Sequence, residues 1–373
     1  VNIFEPKGFK FEVQKEFEDK VANINSILDK GTAKRVFSMF YSRKKVCELR
    51  KKFEKENKTN YDVVVLCRPD LGYVSTDYVR AGNRTLEYAY NDFALATVAK
   101  GLHRMGEYYR FIDQSNNWQN LWRDTEHDGA RGFIMPKDAD GKWVDEVPCT
   151  IKDGIAQNIE YTPLAQDWPN CVCWWCGFFY EASSWEYSFY VPHDIAQVIE
   201  KSGGSGAFEA RLNTFFEHNY YNVANEPSFL TPTLYHWLGK PHLSSDRINK
   251  IIQEHYTSAR DGLPGNDDSG AMSSWLAFHM IGLFPNAGQP YYLINTPQVK
   301  SATLHLEGGN TFKVVADKLS KKNRYIVSAS LNGKPFNNTW IAHEDVIKGG
   351  ELKLKMASKP SDWGKGKFPP SLS

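Results

Sequence analysis

Residues 262–283 read GLPGNDDSGAMSSWLAFHMIGL, a glycine-rich turn that leads directly into an apolar run of helical length. Asp267 and Asp268 lie side by side on this turn. Two adjacent carboxylates repel each other, so burial raises the pKa of one of them unless a metal, a cation or backbone N–H groups compensate. The stretch is therefore either a solvated turn or a site. Because Gly, Asn and Asp are ordinary turn residues, local composition alone favours the solvated turn.

The composition is that of a globular chain with many aromatic residues. The 373 residues are 41% hydrophobic, 24% charged and 14% aromatic, which suits one large domain or two. A net charge of +1 gives no electrostatic basis for binding nucleic acid or an anionic membrane. No apolar run is long enough to span a bilayer. The aromatic residues favour a large core, and the alternative is a sugar site, where aromatic faces stack on pyranose rings.

Several features predict a secreted protein or one in the lumen of the secretory pathway. The sequence starts at Val1 without an initiator Met, as a processed chain does, and glycosylation sequons begin at Asn57, Asn83 and Asn337. The six cysteines are compatible with disulfides. The run CVCWWC at residues 171–176 lacks a second cluster at zinc-finger spacing, which favours a disulfide-bearing loop over a zinc site.

Hydrophobic spacing divides the chain into three parts. Residues 1–60 are highly charged and predict amphipathic helices. Residues 61–295 predict helices joined by long loops, and residues 296–373 alternate as strands do, with a hairpin signal at Asn332-Gly333. The predicted class is therefore mainly α, followed by a small antiparallel β module. Helices are predicted over residues 85–105, 107–117, 195–202, 208–218, 231–238, 247–255 and 271–283.

A second acidic stretch, residues 181–194, is dense in aromatic residues. Glu181 and Glu186 lie within it, and a carboxyl among aromatic side chains has a pKa raised by desolvation. A raised pKa suits a general acid, whereas the polar turn at residues 262–270 suits an ionised base. Glycoside hydrolysis uses such a pair of carboxyls on opposite faces of a sugar ring. We therefore hypothesise that the two stretches form one site.

Three further candidates have an ordinary structural alternative. His193 and Asp194 suit acid–base chemistry, but their position after Pro192 favours the start of a helix with Asp194 near its N-terminus. Glu87 lies on the helix predicted over residues 85–105, where a solvated face or a helix cap is the usual role of a glutamate.

The turn and its companion motifs resemble glycoside hydrolase family 92, the calcium-dependent exo-acting α-mannosidases. The turn motif extends over residues 262–275. The other motifs follow the family's order, and they are TLEYAYND at 85–92, WQNL at 118–121 with FIMPK at 133–137, the stretch 181–194, NEPS at 225–228 and LINTP at 293–297. The resemblance covers roughly residues 71–300 and is closer to fungal members than to bacterial ones.

The resemblance implies a fold, a reaction and a set of roles. The fold is a partial (α/α)6 barrel, and the reaction is inverting removal of terminal α-linked mannose from glycans. Glu181 is implied as the general acid and Asp268 as the base, assisted by Asp267 or Asn266. Asn225 and Glu226 are the implied ligands of a Ca2+ ion. The residues implied to lie in or behind the sugar site are Glu87, Trp185, His193 and Asp194.

The family's N-terminal β-sandwich and first barrel helices have no counterpart before Thr85. An incomplete barrel exposes apolar faces, so we expect a second chain to carry that half. The alternative is a catalytically silent relative that binds glycans or serves as a structural subunit. The presence of Glu181, Asp267 and Asp268 favours the enzyme.

Overall fold

The structure, a computed structural model, describes residues 81–138, 140–150, 156–164, 178–179 and 182–373. These residues belong to one compact unit that extends to Ser373. Several predictions concern residues outside these ranges. They are the charged segment 1–60 with its boundary, the sequon at Asn57 and the proposed acid Glu181. The side chains of the six cysteines also lie outside the described part of the structure, and the disulfides therefore stay a prediction.

The helices form where apolar residues recur at helical intervals. In the first helix, Leu86, Ala89, Ala96 and Ala99 share the buried side. The α-helices are α1 (Ala81–Gly101), α2 (Met105–Gln114), α3 (Ser184–Tyr187), α4 (Ile195–Lys201), α5 (Ser205–Glu217), α6 (Pro241–His255), α7 (Ala271–Ile281) and α8 (His343–Ile347). Shorter 3₁₀ turns cover Asn117–Leu121, Glu226–Ser228, Thr231–Leu238, Asp268–Gly270 and Glu307–Gly309.

The predicted helices are confirmed with shifted ends and one change of type. Helix α1 begins four residues before the predicted start at Thr85, and α6 begins at Pro241 rather than at Arg247. Thr231–Leu238 is wound as a 3₁₀ helix rather than an α-helix. Between α4 and α5, Gly203 and Gly204 adopt φ angles of +95° and +91°, which a residue with a Cβ rarely adopts.

The strands form four sheets within the described residues. They are β1 (Trp122–His127), β2 (Ala130–Ile134), β3 (Glu146–Thr150), β4 (Ala156–Glu160), β5 (Leu283–Pro285), β6 (Tyr291–Ile294), β7 (Ser301–His305), β8 (Thr311–Asp317), β9 (Tyr325–Leu331), β10 (Lys334–Phe336), β11 (Trp340–Ala342) and β12 (Gly350–Ala357). Strands β1 and β2 form a hairpin inside residues 61–295, which are predicted as helices joined by long loops. The fold therefore mixes helices and sheets, which corrects the prediction of a mainly α chain.

The C-terminal sheet corrects the prediction of an antiparallel module. Its strand order is β10-β9-β12-β8-β7, and β12 pairs antiparallel with β9 but parallel with β8. Strand β11 instead joins a separate sheet with β5 and β6, on the other side of the predicted boundary at residue 296. Alternation along a strand predicts the strand itself, but it carries no information about the direction of its neighbour.

Two apolar clusters hold the described residues together. The larger one is rich in aromatic residues and lies among the helices, the β1–β2 hairpin and the β5–β6 strands. The smaller one lies mainly against the five-stranded sheet and includes Phe312, Leu352 and Leu354. The many aromatic residues thus fill a core, as the composition predicts. None of the helices in the described ranges has the length and apolar character that a membrane crossing would need.

Candidate active site

The glycine-rich turn presents its two carboxylates in different settings. The Asp267 carboxylate accepts hydrogen bonds from the Ser273 backbone N–H at 2.9 Å and the Ser273 hydroxyl at 2.5 Å. These bonds lower the pKa of Asp267, whose carboxylate lies at the N-terminus of α7, where backbone N–H groups lack helical partners. Asp268 is exposed. The repulsion between the two adjacent carboxylates is reduced because Asp268 is exposed to solvent and Asp267 lies at the N-terminus of α7.

Glu186 is a buried carboxyl on the short helix α3. Only 1% of it is exposed. Its Oε2 accepts hydrogen bonds from the Ser183 N–H at 2.8 Å and the Ser183 hydroxyl at 3.2 Å, and its Oε1 accepts one from the Ser228 hydroxyl at 3.1 Å. Burial raises the pKa of Glu186 to about 7, against the opposing effect of these hydrogen bonds. The aromatic segment thus contains a carboxyl that titrates near neutral pH.

Residues 221–230, which we call the bridging loop, contact both acidic stretches. Ser228 bonds to Glu186, as described above. On the other side, a Cβ placed on Gly265 would lie 3.0 Å from the backbone oxygen of Ala224, so the turn packs closely on the loop. The indole N–H of Trp275 in α7 donates to the Phe229 carbonyl at 3.0 Å. The segment that follows Glu181 and the turn that carries Asp268 therefore meet at the same loop.

Two tyrosines interact electrostatically with the acidic stretches. Burial and the charge of Asp267 raise the pKa of Tyr256 to about 12. Burial, the neighbouring Tyr256 and the charge of Glu186 raise the pKa of Tyr221. The Tyr256 ring also stacks on Trp275, with 5.6 Å between the ring centroids. These interactions place Glu186, Tyr221, Tyr256 and Asp267 in one neighbourhood.

Glu87 lies close to the aromatic segment. Its carboxyl is partly buried, and burial raises its pKa against a hydrogen bond from Asn83 and the charge of Arg84. Burial and the Glu87 charge together raise the pKa of Tyr190 to about 12. Asn83 is itself buried, which leaves no room for a glycan on its side chain. Asn337 is exposed and stays a predicted glycosylation site.

Trp185 lies in the core, and its predicted place in or behind the sugar site stays a prediction. The residue is fully buried, and its indole N–H donates to His127 at 3.1 Å. The Phe133 ring meets it edge to face at 5.0 Å, and the Phe215 ring stacks at 6.2 Å. Its faces are thus taken up by core packing in this chain.

His193 and Asp194 are also buried and serve as anchors. His193 stacks between Tyr90 and Phe93 of α1, and its Nε2 lies 3.0 Å from the Ser115 carbonyl. The Asp194 Oδ1 accepts hydrogen bonds from the Ser371 hydroxyl at 3.0 Å and from the Ser373 N–H at 3.1 Å. These contacts join the start of α4 to α1 and to residues 371–373. These contacts give both side chains a structural role, and their place in or behind the sugar site stays a prediction.

The predicted calcium ligands lie on the bridging loop. Asn225 is buried and Glu226 is partly buried, and the 3₁₀ turn Glu226–Ser228 follows directly. Amide and carboxylate oxygens are the donors that Ca2+ prefers, so this pair fits the ion in type. Calcium takes about six to eight oxygen ligands. Among the described residues, no three His, Cys, Asp or Glu side chains converge as a metal site would require.

The sequence contains a signal for only part of this site. Ser183 followed three positions later by Glu186 is a capping-box pattern, and the structure has both of its reciprocal hydrogen bonds. That pattern explains the start of α3 but gives no indication of the bond from Ser228. Tyr221 and Tyr256 carry no motif, since only the folded chain brings them close to the two acidic stretches.

The accessible carboxylate pair Asp267–Asp268 suits acid–base chemistry, and the bridging loop joins its turn to the segment that follows Glu181. The comparison of families agrees: the model of the glycosyl hydrolase family 92 catalytic domain matches residues 25–358. The chain belongs to glycosyl hydrolase family 92. This membership confirms the resemblance predicted from the ordered motifs. The matched range corrects its predicted extent of residues 71–300, because it begins at residue 25, in the part predicted to lack a family counterpart, and ends at residue 358.

Individual relatives agree with the family. An uncharacterized secreted glycosidase from the fungus Arthroderma benhamiae is 37% identical over 316 residues, which cover 81% of this chain and 39% of the relative. The family GH92 α-mannosidase from Bacteroides thetaiotaomicron in complex with mannoimidazole has a TM-score of 0.69 at 28% identity, over 79% of this chain and 39% of that chain. The family GH92 inverting mannosidase from the same bacterium has a TM-score of 0.68 at 29% identity, over 81% and 41%. The chain thus spans about two fifths of the length of these relatives.

Proposed function

We propose that the protein removes terminal α-linked mannose from glycans by an inverting mechanism that uses two carboxyls. Membership of family 92 supports this function, because two structural relatives are described as an α-mannosidase and an inverting mannosidase. The observation that carries the proposal is the bridging loop, which contacts both Glu186 and the turn of Asp267 and Asp268. The proposed fold of the whole enzyme is an (α/α)6 barrel to which this chain contributes a part.

The roles follow from the chemistry of each carboxyl. Glu181 donates a proton to the glycosidic oxygen as the bond from that oxygen to the anomeric carbon breaks. Asp268 accepts a proton from a water molecule whose oxygen bonds to the anomeric carbon on the opposite face. The product is β-mannose. Asp267, held ionised by Ser273, keeps a second negative charge beside Asp268. For inversion, the two catalytic carboxyls must lie roughly 6.5–9.5 Å apart.

Asn225 and Glu226 would hold a Ca2+ ion through their side-chain oxygens. When bound, such an ion supplies a fixed positive charge that orients oxygen groups of the sugar or of water. The chain's own contribution is the position of the pair: residue 225 directly follows Ala224, against which Gly265 packs, and residue 226 begins the turn that ends at Ser228. The proposed ligands are therefore built into the loop that joins the acidic stretches.

The remaining part of the enzyme and its location belong to the same proposal. These relatives extend well beyond the part that this chain matches, and we propose that the enzyme includes the remaining part of their fold, supplied by a second chain or by the same polypeptide. The fungal relative is described as secreted, and the aromatic, globular composition is compatible with that location. Mannose-bearing glycans are the proposed partners in the secretory pathway or outside the cell.

Mannose release tests this proposal. Natively purified protein is incubated with an α-mannobiose and with aryl α-mannosides, with and without a calcium chelator. We expect β-mannose as the first product in NMR spectra, and loss of activity on chelation that added Ca2+ reverses. Glu181→Gln is expected to abolish activity on the disaccharide while sparing substrates with good leaving groups. Asp268→Asn is expected to abolish activity on all of them.

The outcome also separates the alternative function. Binding of mannosides without any release of mannose, in preparations that contain every co-purifying chain, would favour the catalytically silent glycan-binding subunit. Release of α-mannose as the first product would contradict inversion. Unchanged activity in Asp268→Asn would remove that residue from the proposed role.

A further inference from the structure

We propose that Glu186 is a positioning residue for the general acid, because its carboxylate ties the backbone beside Glu181 to the bridging loop. The inference rests on the proposed function, since it gives Glu186 a part in that reaction. Glu186 is not proposed as a catalytic residue: it is buried, and each described hydrogen bond of its carboxyl group comes from a serine of this chain.

The two oxygens of Glu186 accept hydrogen bonds from two different segments of the chain. Oε2 accepts two hydrogen bonds from Ser183, which follows Glu181 by two residues. Oε1 accepts from the hydroxyl of Ser228, the last residue of the turn that begins at Glu226. One carboxylate thus spans two segments that are 45 residues apart in the sequence. Ser183 and Ser228 are both buried, so water cannot easily replace these bonds.

The chemistry of the three donors explains why the residue carries a carboxyl. A backbone N–H and two hydroxyls all point at Glu186, and a carboxylate accepts from several donors at once. Removal of the side chain would leave these buried donors without an acceptor and would open space between the segments. Each buried donor that is left without an acceptor lowers the stability of the fold by about 1–3 kcal/mol. The segments would then separate or find new partners.

The effect of this bridge on the reaction depends on alignment. A general acid acts only within hydrogen-bond reach of the atom that it protonates. A shift of about 1 Å in a reacting group is enough to lower the rate on the order of 100-fold. The bridge fixes residue 183, which follows the proposed general acid by two positions in the sequence. Loss of the bridge is therefore expected to impair proton donation more than it impairs attack by water.

The test compares substrates with good and poor leaving groups. Glu186→Ala and Ser228→Ala are expected to lower kcat/KM on the order of 10- to 100-fold for an alkyl or disaccharide α-mannoside. For a dinitrophenyl α-mannoside, whose leaving group needs no proton, the loss should stay within about threefold. Glu186→Gln is expected to recover most of the activity, because its amide still accepts from Ser183 while the Ser228 hydroxyl turns to accept from it.

Ser188→Ala is the matched control. The Ser188 hydroxyl is buried at the end of the same helix, accepts from the Ile134 N–H at 2.8 Å and donates to the Ser184 carbonyl at 2.5 Å. Its loss disturbs the core without touching the bridging loop. We expect it to affect both classes of leaving group equally. The double variant Glu186→Ala with Ser228→Ala should lose no more activity than either single variant.

Hydrogen exchange separates this inference from the proposed function. In Glu186→Ala and Ser228→Ala, backbone amides of residues 182–187 and 226–229 should exchange at least tenfold faster, with α6 unchanged. Equal losses on both leaving groups, or unchanged exchange in these two segments, would overturn the inference. If the wild-type protein releases no mannose from any substrate, the proposed function fails. The inference then fails with it as a statement about catalysis, and exchange decides whether the bridge exists.

Discussion

His279 is a buried histidine packed against two aromatic rings. Its ring stacks on Phe284 with centroids 4.4 Å apart and meets Trp275 at 4.2 Å. Neither ring nitrogen has a hydrogen-bond partner in the part of the chain that the structure describes. Burial lowers the pKa of His279 to about 3. The side chain therefore stays neutral in the folded protein at pH values where it is charged in the unfolded chain.

This difference predicts an acid-sensitive core. The unfolded chain binds more protons between about pH 6.5 and pH 3, so the stability falls as the pH falls through that window. The His279 contribution to this loss is on the order of 3 kcal/mol at about pH 4.5. His279→Leu should remove it. Urea unfolding at about pH 7.5 and pH 4.5 measures the effect, and a drop in the variant as large as in the wild type would contradict it.

The sequence predicts the surroundings of a polar residue correctly where the folded chain leaves that residue accessible. Asp267 and Asp268 are on an accessible turn, as their Gly, Asn and Ser neighbours indicate. Trp185 and Asp194 are also residue types that suit a sugar site, but packing against residues distant in the sequence buries both. The enclosure depends on Phe133, Phe215 and the C-terminal residues, which are distant in the sequence. Local composition therefore could not separate a sugar ligand from a core residue.

At the scale of elements, the glycine-rich turn packs closely on the bridging loop because residue 265 is a glycine and has no side chain. A Cβ on Gly265 would lie 2.8 Å from the Ala224 Cβ, which is closer than real Cβ contacts. Gly265→Ala should therefore push the two loops apart and cost about 1–3 kcal/mol of stability. Activity on α-mannosides should fall at least tenfold, because the loops carry the proposed base and metal ligands. Thermal unfolding and kcat/KM measure the two effects.

Gly206 offers a control for this substitution. It lies in the first turn of α5, and a Cβ there would meet no atom within 4 Å. Gly206→Ala should leave activity unchanged and raise stability by about 0.4–1 kcal/mol, since alanine restricts the unfolded chain. If Gly265→Ala behaved in the same way, the two loops would not be in close contact in solution.

Element types could be predicted better than their pairing. Apolar spacing predicts α1, α5 and α7 because each helix places its apolar residues against one core. The parallel pairing of β12 with β8 could not be predicted, since it depends on the connection through α8 rather than on either strand. The β1–β2 hairpin was missed because its residues 122–127 are largely polar and lack apolar alternation.

For the whole molecule, one exposed apolar face stands out. Leu102 at the end of α1 is 59% exposed, and Tyr109 on α2 is 65% exposed. Val98 and Met105, each four residues before one of them, are also exposed. Monomeric proteins rarely expose large apolar patches without a partner or a tendency to associate. A face of this kind is what the proposal of a further chain leads us to expect, although nothing described here covers it.

This exposed face predicts self-association of the isolated chain. Replacing Leu102 and Tyr109 with glutamate should lower the association measured by sedimentation velocity at least fivefold. The stability should change by no more than about 0.5 kcal/mol, because exposed side chains contribute little to folding. Ile347 and Phe368, which are 47% and 53% exposed, are the control: replacing both with glutamate adds the same charge away from α1 and α2 and should leave association unchanged. Equal effects of the two changes would mean that net charge, rather than the face formed by α1 and α2, governs association.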